Sequence, residues 1–287
     1  MPSCWRPVRI ERAKPLLGTI VSIRAEFEDG QSGEAALRAT FAEVAELHRL
    51  MSFQSPESDL SRIAREGGAG PVRVNARTAE VLAFALALAA QSGGVFDPVA
   101  AARAAVDQGA LPCPDGAPQA DPDSRWSDVE LEGDRVRLGR PAWIDLGGVA
   151  KGYAVDRAMT RLADGGALRA SVNAGGDLRV FGPEPEPVRL RAPGPDVALI
   201  ELQGAAVASS GAGIEGAGGI HLDGACGRIV HAQRFAAVIA QDCMTADALT
   251  KVVLARGGAA EPLLWARQAQ AHLFDPALGW RRLGNRA

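Results

Sequence analysis

Residues 145–156 read Asp-Leu-Gly-Gly-Val-Ala-Lys-Gly-Tyr-Ala-Val-Asp. An acid, Asp145, precedes a glycine pair, Gly147 and Gly148, and then Lys151. Glycine lets backbone approach a ligand closely and reach dihedrals closed to other residues. A helix opening here would offer unpaired N–H groups and a positive dipole end, which together suit a phosphate. Lys151 would add a full charge. The Gly-Lys-Ser/Thr order of a Walker loop and the Gly-x-Gly-x-x-Gly fingerprint are both absent. A phosphate cradle and an ordinary strand-to-helix turn with a solvated lysine fit this spacing equally.

A second constellation, Asp-Cys-Met-Thr-Ala-Asp-Ala-Leu-Thr-Lys, occupies residues 242–251. Asp247 and Lys251 are four apart and so share a helix face. Thr245 suits the cap and Asp247 the dipole of such a helix. An exposed pair of this kind contributes only about 0.3–0.5 kcal/mol, and spacing alone favours that plain reading. A third, Gly-Ile-His-Leu-Asp-Gly-Ala-Cys-Gly (219–227), sets His221 beside Asp223 in a glycine-rich loop. That arrangement is open to general acid/base chemistry, although a lone His-x-Asp is more often structural. His231 and His272 have no such context, and no Gly-x-Ser-x-Gly elbow occurs.

These segments need elements to hold them. Residues 18–25 have the β-branched content of a strand. Residues 33–51 space apolar side chains as a helix does. A short helix follows, capped by Ser58 or Asp59, and another starts at Asn75 or Thr78 and ends at Gly93-Gly94. Phe96-Asp97-Pro98 makes a tight connection, and 111–124 is a surface loop. Strands are expected at 129–131, 136–138 and 142–145, then a helix over 149–163 and a strand over 168–173, which together make a β-α-β unit. Strand resumes at 178–181, 182–195 is proline-rich, and 197–201 with 205–209 reads as a hairpin. Residues 210–219 read as loop and 235–240 as strand. A helix over 245–255 is capped by Thr245, and 263–269 is helical before a last strand at 271–274. The irregular alternation favours an α+β fold over a doubly wound sheet.

The 287 residues suffice for one large domain or two small ones, and 47% hydrophobic with 23% charged residues permits a sizeable core. The net charge of −3 gives no steering toward nucleic acid. Lysine occurs only at Lys14, Lys151 and Lys251, and two of these fall in the motifs above. Cys4, Cys113, Cys226 and Cys243 show neither a Cys-x-x-Cys pair nor zinc spacing, which fits a reduced, cytoplasmic setting. The first residues lack the apolar core of a signal peptide. The longest apolar run, 81–90, is about half the ~20 residues a membrane span needs, so a soluble protein without a span is expected.

Three blocks together carry a resemblance: 145–156, Asn-Ala-Gly-Gly-Asp-Leu (173–178) and Thr-Ala-Asp-Ala-Leu (245–249). They resemble the signature blocks of the ApbE family, the FAD:protein FMN transferases. Weaker blocks agree in order: Gly18-Thr19, Met51-Ser52-Phe53 before Ser-Asp-Leu-Ser-Arg, Phe96-Asp97-Pro98, and Ala208-Ser209-Ser210-Gly211. The resemblance implies an extension at 1–14 and a single compact, T-fold-like α+β domain over 15–287, with mixed or antiparallel sheets and packed helices. It also implies an enzyme that holds FAD and a divalent metal, usually magnesium. Such an enzyme moves FMN onto a threonine or serine of an acceptor protein and releases AMP. Phosphoryl transfer needs the diphosphate neutralised and the nucleophile aligned, and little covalent work falls to the protein.

By the same likeness, the Ala150 carbonyl and the Asp247 carboxylate would hold the metal, an oxygen set suited to Mg²⁺. Gly147, Gly148, Lys151 and Asp156 would lie against FAD. Phe53 and the Asp97 loop would line a flavin or adenine pocket, with Asn173, Gly175, Asp177 and Ser209 forming its wall. His221 would activate the acceptor hydroxyl, making His221, Asp247 and Lys251 the expected catalytic set.

Two positions depart from the family pattern. A threonine usually follows the metal-binding aspartate by four; here that place holds Lys251, and Thr250 is turned about 100° away on the helix. A protonated lysine cannot ligate a metal. Its ammonium can instead stand where the metal's charge would be, leaving an altered or absent metal site. In the pattern His-x-x-Asp-Pro-x-Thr-Gly, Ile220 holds the histidine position, His221 is displaced by one, and Gly224 and Cys226 replace Pro and Thr. The alternatives are hydrolysis of the FAD pyrophosphate by water, and a non-catalytic FAD-binding protein.

Overall fold

The computed structural model describes residues 6–192, 197–212, 220–230 and 233–284. Strands β1 (Val8–Leu16) and β2 (Thr19–Phe27) form an antiparallel hairpin. It closes through Leu17 and Gly18, both at positive φ (56° and 69°), as a two-residue turn that follows the strand twist requires. Of the expected extension, residues 8–14 therefore belong to a paired strand, and 1–5 lie outside the described residues.

Helix α1 (Gly30–Met51) starts where Asp29 accepts from the Gln31 and Ser32 amides, and buries Leu37, Phe41, Val44 and Leu47. Helix α2 (Asp59–Glu66) is capped by Ser58 and leads to the short β3 (Val72–Arg73). Helix α3 (Ala76–Gln91) is capped by Asn75 and ends at Gly93 and Gly94, both at positive φ. Asp97 caps α4 (Pro98–Asp107), with a proline in the first turn where no amide partner is lost. Strands β4 (Val129–Glu132) and β5 (Arg135–Leu138) pair with β3 in a small antiparallel sheet. Next come α5 (Ala150–Asp164), β6 (Arg169–Ala174) and β7 (Asp177–Phe181). The hairpin of β8 (Glu186–Arg191) and β9 (Val197–Leu202) follows, then β10 (Ala206–Ala212). Past the short β11 (Leu222–Asp223) and β12 (Arg228–Ile229) lie β13 (Arg234–Ala240), α6 (Cys243–Arg256) and α7 (Glu261–Ala266). Strands β14 (Gln270–Asp275) and β15 (Gly279–Leu283) complete the fold.

Eight strands form the main sheet in the order β1-β2-β6-β7-β10-β13-β14-β15. Every neighbouring pair is antiparallel. Helices α1, α5 and α6 cover one face, with α5 packed between α1 and α6 and α6 lying over β10 and β13. The β8–β9 hairpin covers part of the other face through Leu190, Ile200 and Leu202, which pack on Leu178, Val180 and Val207. The period-2 alternation of a strand sorts β7 accordingly. Leu178 and Val180 meet the hairpin, while Asp177 and Arg179 reach Lys151 and Asp156 of α5.

This is the expected α+β domain with packed helices, and four local expectations change. No β-α-β unit forms. Residues 142–146 belong to no strand ladder, and Asp145 N donates to the Pro98 carbonyl at 3.0 Å. Residues 197–201 and 205–209 are not a hairpin: β9 pairs with β8, drawn from the proline-rich stretch, while β10 joins β7 and β13. The cap of α6 is Asp242, whose carboxylate accepts from Thr245 N at 2.7 Å, and Thr245 lies one turn inside. Residues 210–212 extend β10, whereas 213–219 and His231 lie outside the described residues. Among the described residues no helix is long and apolar enough to cross a membrane.

Candidate functional site

The site forms where the start of α5 meets α6 and the end of β10. The turn before α5 is held by Asp145, whose Oδ1 accepts from Gly147 N at 2.8 Å. Such an Asx-type bond substitutes for a backbone turn. Burial raises the Asp145 pKa. A Cβ on Gly148 would touch Phe96 at 3.4 Å and the Lys251 stem at 3.5 Å, so its absence keeps the space between them open. One turn on, Gly152 lets the helices close: a Cβ there would lie 2.6 Å from the Cys243 carbonyl carbon.

That approach brings four charged side chains into one chain of contacts. Lys151 Nζ donates to Asp177 Oδ2 at 2.7 Å and reaches Asp247 Oδ2 at 3.4 Å. Gly152 N donates to Asp247 Oδ2 at 3.3 Å. Lys251 Nζ bonds Asp247 Oδ1 and lies 3.2 Å from the Asp247 carbonyl and 3.1 Å from both Ser210 Oγ and Thr250 Oγ1. The side chains of Asp247 and Asp177 are 0% and 1% exposed, those of Lys151 and Lys251 30% and 19%. The acids thus form the base and the amines the face toward solvent.

The electrostatics follow. Burial would raise the Asp247 pKa, but the Lys151 and Lys251 ammoniums outweigh it and hold the carboxyl below its usual range. Asp177 goes up, because burial and the neighbouring Asp247 charge both disfavour its ionised form. Burial alone would weaken Lys151 as a cation, but Asp247 and Asp177 keep it firmly protonated.

Above the amines opens a cleft of about 660 Å³. Its floor is Gly147, Gly148, Lys151 and Lys251, and one wall is an apolar slope of Phe96, Pro98, Ala101, Ala105 and Leu111. Gly175, Ser209, Ser210 and Gly211 form the opposite wall, with Arg191, His221, Leu222 and Phe235 around the rest. His221 Nε2 is buried and has no hydrogen-bond partner among the described residues. Burial, aided by the Lys251 charge, lowers the His221 pKa to about 4.

The expected site residues fall into two groups. Asp97, Gly147, Gly148, Lys151, Gly175, Ser209, His221 and Lys251 line the cleft, and Asp177 and Asp247 support it from beneath. Four others are absent from its lining. Phe53 packs with Ala64, Ala102, Ala120 and Trp143 in a separate cluster, and Phe96 and Phe235 are the aromatic rings at the cleft. Asp156 accepts from Cys243 N and Met244 N, each at 2.9 Å, and from Arg179 at 2.6 Å, so it ties down the start of α6. Asn173 Oδ1 accepts from Gly176 N at 3.1 Å and shapes the β6–β7 turn. Ala150 opens α5 beneath the floor. Sequence reasoning missed Gly152 and Ser210 as single residues, although both lie within its blocks. Phe235 and Arg191 carried no signal.

The floor suits an anionic group, with two amines beside glycine backbone, and the apolar slope suits a ring system. The residues present therefore fit a dinucleotide. They do not fit a divalent metal. Mg²⁺ needs near-octahedral oxygen ligation at about 2.0–2.1 Å. Here Lys251 takes Asp247 Oδ1, and Lys151 and Gly152 share Oδ2. Among the described residues no group of three or more His, Cys, Asp or Glu side chains is arranged to hold a metal.

Residues 17–274 match the ApbE family. The FAD:protein FMN transferase of Treponema pallidum is 27% identical over 199 residues, which is 63% of this chain and 54% of the relative. The chain thus spans about half the length of that relative. The solved ApbE protein of Thermotoga maritima is 25% identical with a TM-score of 0.81, covering 96% of this chain and 97% of its own. The flavin transferase ApbE of Vibrio cholerae shares the fold at 21% identity and a TM-score of 0.81, covering 96% and 97%.

Proposed function

The chain belongs to the ApbE family, and from that premise we propose that it is an FAD:protein FMN transferase. It moves FMN from FAD to the hydroxyl of a threonine or serine on an acceptor protein and releases AMP. One observation carries this reading: the Lys151 and Lys251 amines lie together on the floor of a cleft that His221 also lines, with its buried Nε2 unpartnered among the described residues.

Lys151 and Lys251 pair with the diphosphate, and Gly147 and Gly148 leave room for its oxygens. The slope around Phe96 and Leu111 takes an aromatic ring of FAD, with Gly175 and Ser209 opposite. Asp247 and Asp177 keep the amines charged and in place. His221, neutral because burial and Lys251 hold its pKa near about 4, accepts the acceptor's proton through Nε2. The hydroxyl oxygen then bonds to the FMN phosphorus. The bond from that phosphorus to the bridging oxygen breaks, and AMP departs with the electron pair. The amines stabilise the charge that gathers on AMP, as preorganised cations do in phosphoryl transfer. No step is assigned to magnesium. A cytoplasmic setting is supported by the free thiols of Cys113, Cys226 and Cys243.

The test is incubation of the purified protein with FAD and a threonine-containing acceptor peptide. AMP together with flavinylated peptide is the expected result. AMP with free FMN in the peptide's presence would point to hydrolysis, and bound flavin without turnover to a binding protein.

A further inference from the structure

We propose that Lys251 is a built-in counter-ion that takes the place of a divalent cation, so that this cleft binds the diphosphate of its dinucleotide without metal. The inference rests on the reading of the cleft as an FAD site. Three observations carry it.

The first is the coordination of the ammonium. Nζ is surrounded by a carboxylate oxygen, a backbone carbonyl and two hydroxyls, from Asp247, Ser210 and Thr250. Carboxylate, carbonyl and hydroxyl oxygens are the ligands a hard cation prefers. The amine is therefore seated in an oxygen cage as an ion would be, and it donates protons to the oxygens where a metal would accept their lone pairs.

The second is the charge balance. The buried acids, Asp247 and Asp177, face two ammoniums, Lys151 and Lys251. Both oxygens of Asp247 are already taken, Oδ1 by Lys251 and Oδ2 by Lys151 and Gly152 N, while Asp145, which both ammoniums also attract, accepts from Gly147 N. A divalent ion entering the cage would stand in contact with Lys251 and meet repulsion in a poorly solvated place.

The third is that Lys251 is held in position. Its stem runs beside Gly148, where a Cβ would meet Cε at 3.5 Å and Cγ at 3.7 Å. Its head bridges α6 to β10 through Ser210. The amine is thus fixed against the glycine turn, next to Lys151 on the cleft floor. Loss of such a charged contact to phosphate weakens binding by about tenfold or more.

The experiment is an FAD titration, followed by flavin fluorescence and by calorimetry, on the whole protein in excess EDTA and again in millimolar Mg²⁺. The wild type should bind FAD with the same Kd in both buffers, within about twofold. Lys251→Thr, which restores a hydroxyl four residues after Asp247, should bind at least tenfold more weakly in EDTA and recover in Mg²⁺. Lys251→Arg should remain indifferent to metal. Thermal melts without FAD supply a second readout: Mg²⁺ should raise the Tm of Lys251→Thr and leave that of the wild type unchanged. Wild-type binding that appears only with Mg²⁺ would overturn the proposal and leave the FAD site standing. Absence of FAD binding in both buffers would overturn the site reading, and the proposal with it.

Discussion

The backbone amide of Gly152, in the first turn of α5, donates to the carboxylate of Asp247, in the second turn of α6, at 3.3 Å. The two helix backbones nearly touch here, where a Cβ on Gly152 would lie 2.6 Å from the Cys243 carbonyl carbon. The bond places Asp247 under Lys151, and Lys251 reaches the same carboxylate from α6 itself. The cationic floor is therefore a consequence of one helix crossing, and that crossing depends on a residue without a side chain.

Gly152→Ala should accordingly damage both fold and site. The added methyl would meet the backbone of Cys243 at 2.6 Å and of Met244 at 2.8 Å, where no flexible side chain can yield. Overpacking of this kind costs about 1–3 kcal/mol. At about 2–4 °C per kcal/mol for a chain of this size, the Tm should fall by several degrees. FAD affinity should fall with it, because α6 must move and carry Asp247 and Lys251 away. Calorimetric melts and an FAD titration check both effects.

Gly148→Ala should spare the fold and damage the site alone. Its methyl would meet Phe96 at 3.4 Å and Lys251 at 3.5 Å, distances of ordinary contact. Stability should stay within about 0.5 kcal/mol of the wild type, as for a substitution that creates neither clash nor cavity. The methyl would stand over the floor where the diphosphate approaches, so the Kd for FAD should rise by about tenfold, the equivalent of one charge-assisted contact. Unchanged affinity with unchanged Tm would place the diphosphate elsewhere.

Asp156 separates a structural from a ligand role. Its carboxylate holds two amides at the start of α6 and the Arg179 guanidinium. Removing one partner of a fully buried pair costs about 3–5 kcal/mol, and this pair is partly buried, so Asp156→Ala should lower the urea midpoint by less than that full cost but measurably. Asp156→Asn keeps one acceptor oxygen and should lose less. Among molecules still folded, FAD affinity should be close to that of the wild type. A large loss of affinity at normal stability would return Asp156 to the ligand.

These contrasts show which parts of the molecule were legible in the sequence. The placement of Gly147, Gly148 and Lys151, at a turn that opens a helix, was readable because it is local. The caps Ser58 and Asn75 were readable for the same reason. Asp156 was expected against the ligand, and its hydrogen bonds to the start of α6 were not legible because those partners lie 87 and 88 residues away. Phe53 looked like a cleft aromatic because it sits in a motif-like block, yet its packing on Trp143 is settled by tertiary contacts alone. Strand β8 was hidden by Pro187, tolerable because its hairpin stands apart from the main ladder. Its pairing then displaced the hairpin expected between 197–201 and 205–209. Asp247 and Lys251 have the spacing of a solvent-exposed pair, and the packing of α6 against α5, β10 and β13 buries Asp247 and partly buries Lys251.

His221 yields a prediction in pH. Burial and the Lys251 charge lower its pKa from 6.5 to about 4. The neutral imidazole is the form that accepts a proton, so kcat/KM should be level through neutral pH and fall as the pH drops toward about 4. Because the folded state resists protonation that the unfolded chain accepts, stability from this residue is complete above pH 6.5 and declines as the pH falls toward about 4. Replacing Lys251 with methionine removes one of the two causes, so the acid limb should move to higher pH. His221→Ala should cost about 10²–10⁴-fold in kcat, the usual worth of a general base, with the Kd for FAD nearly unchanged. Measuring kcat/KM from pH 4 to 8 in the wild type and both variants decides it. An acid limb that persists unaltered in His221→Ala would assign the proton transfer to another group.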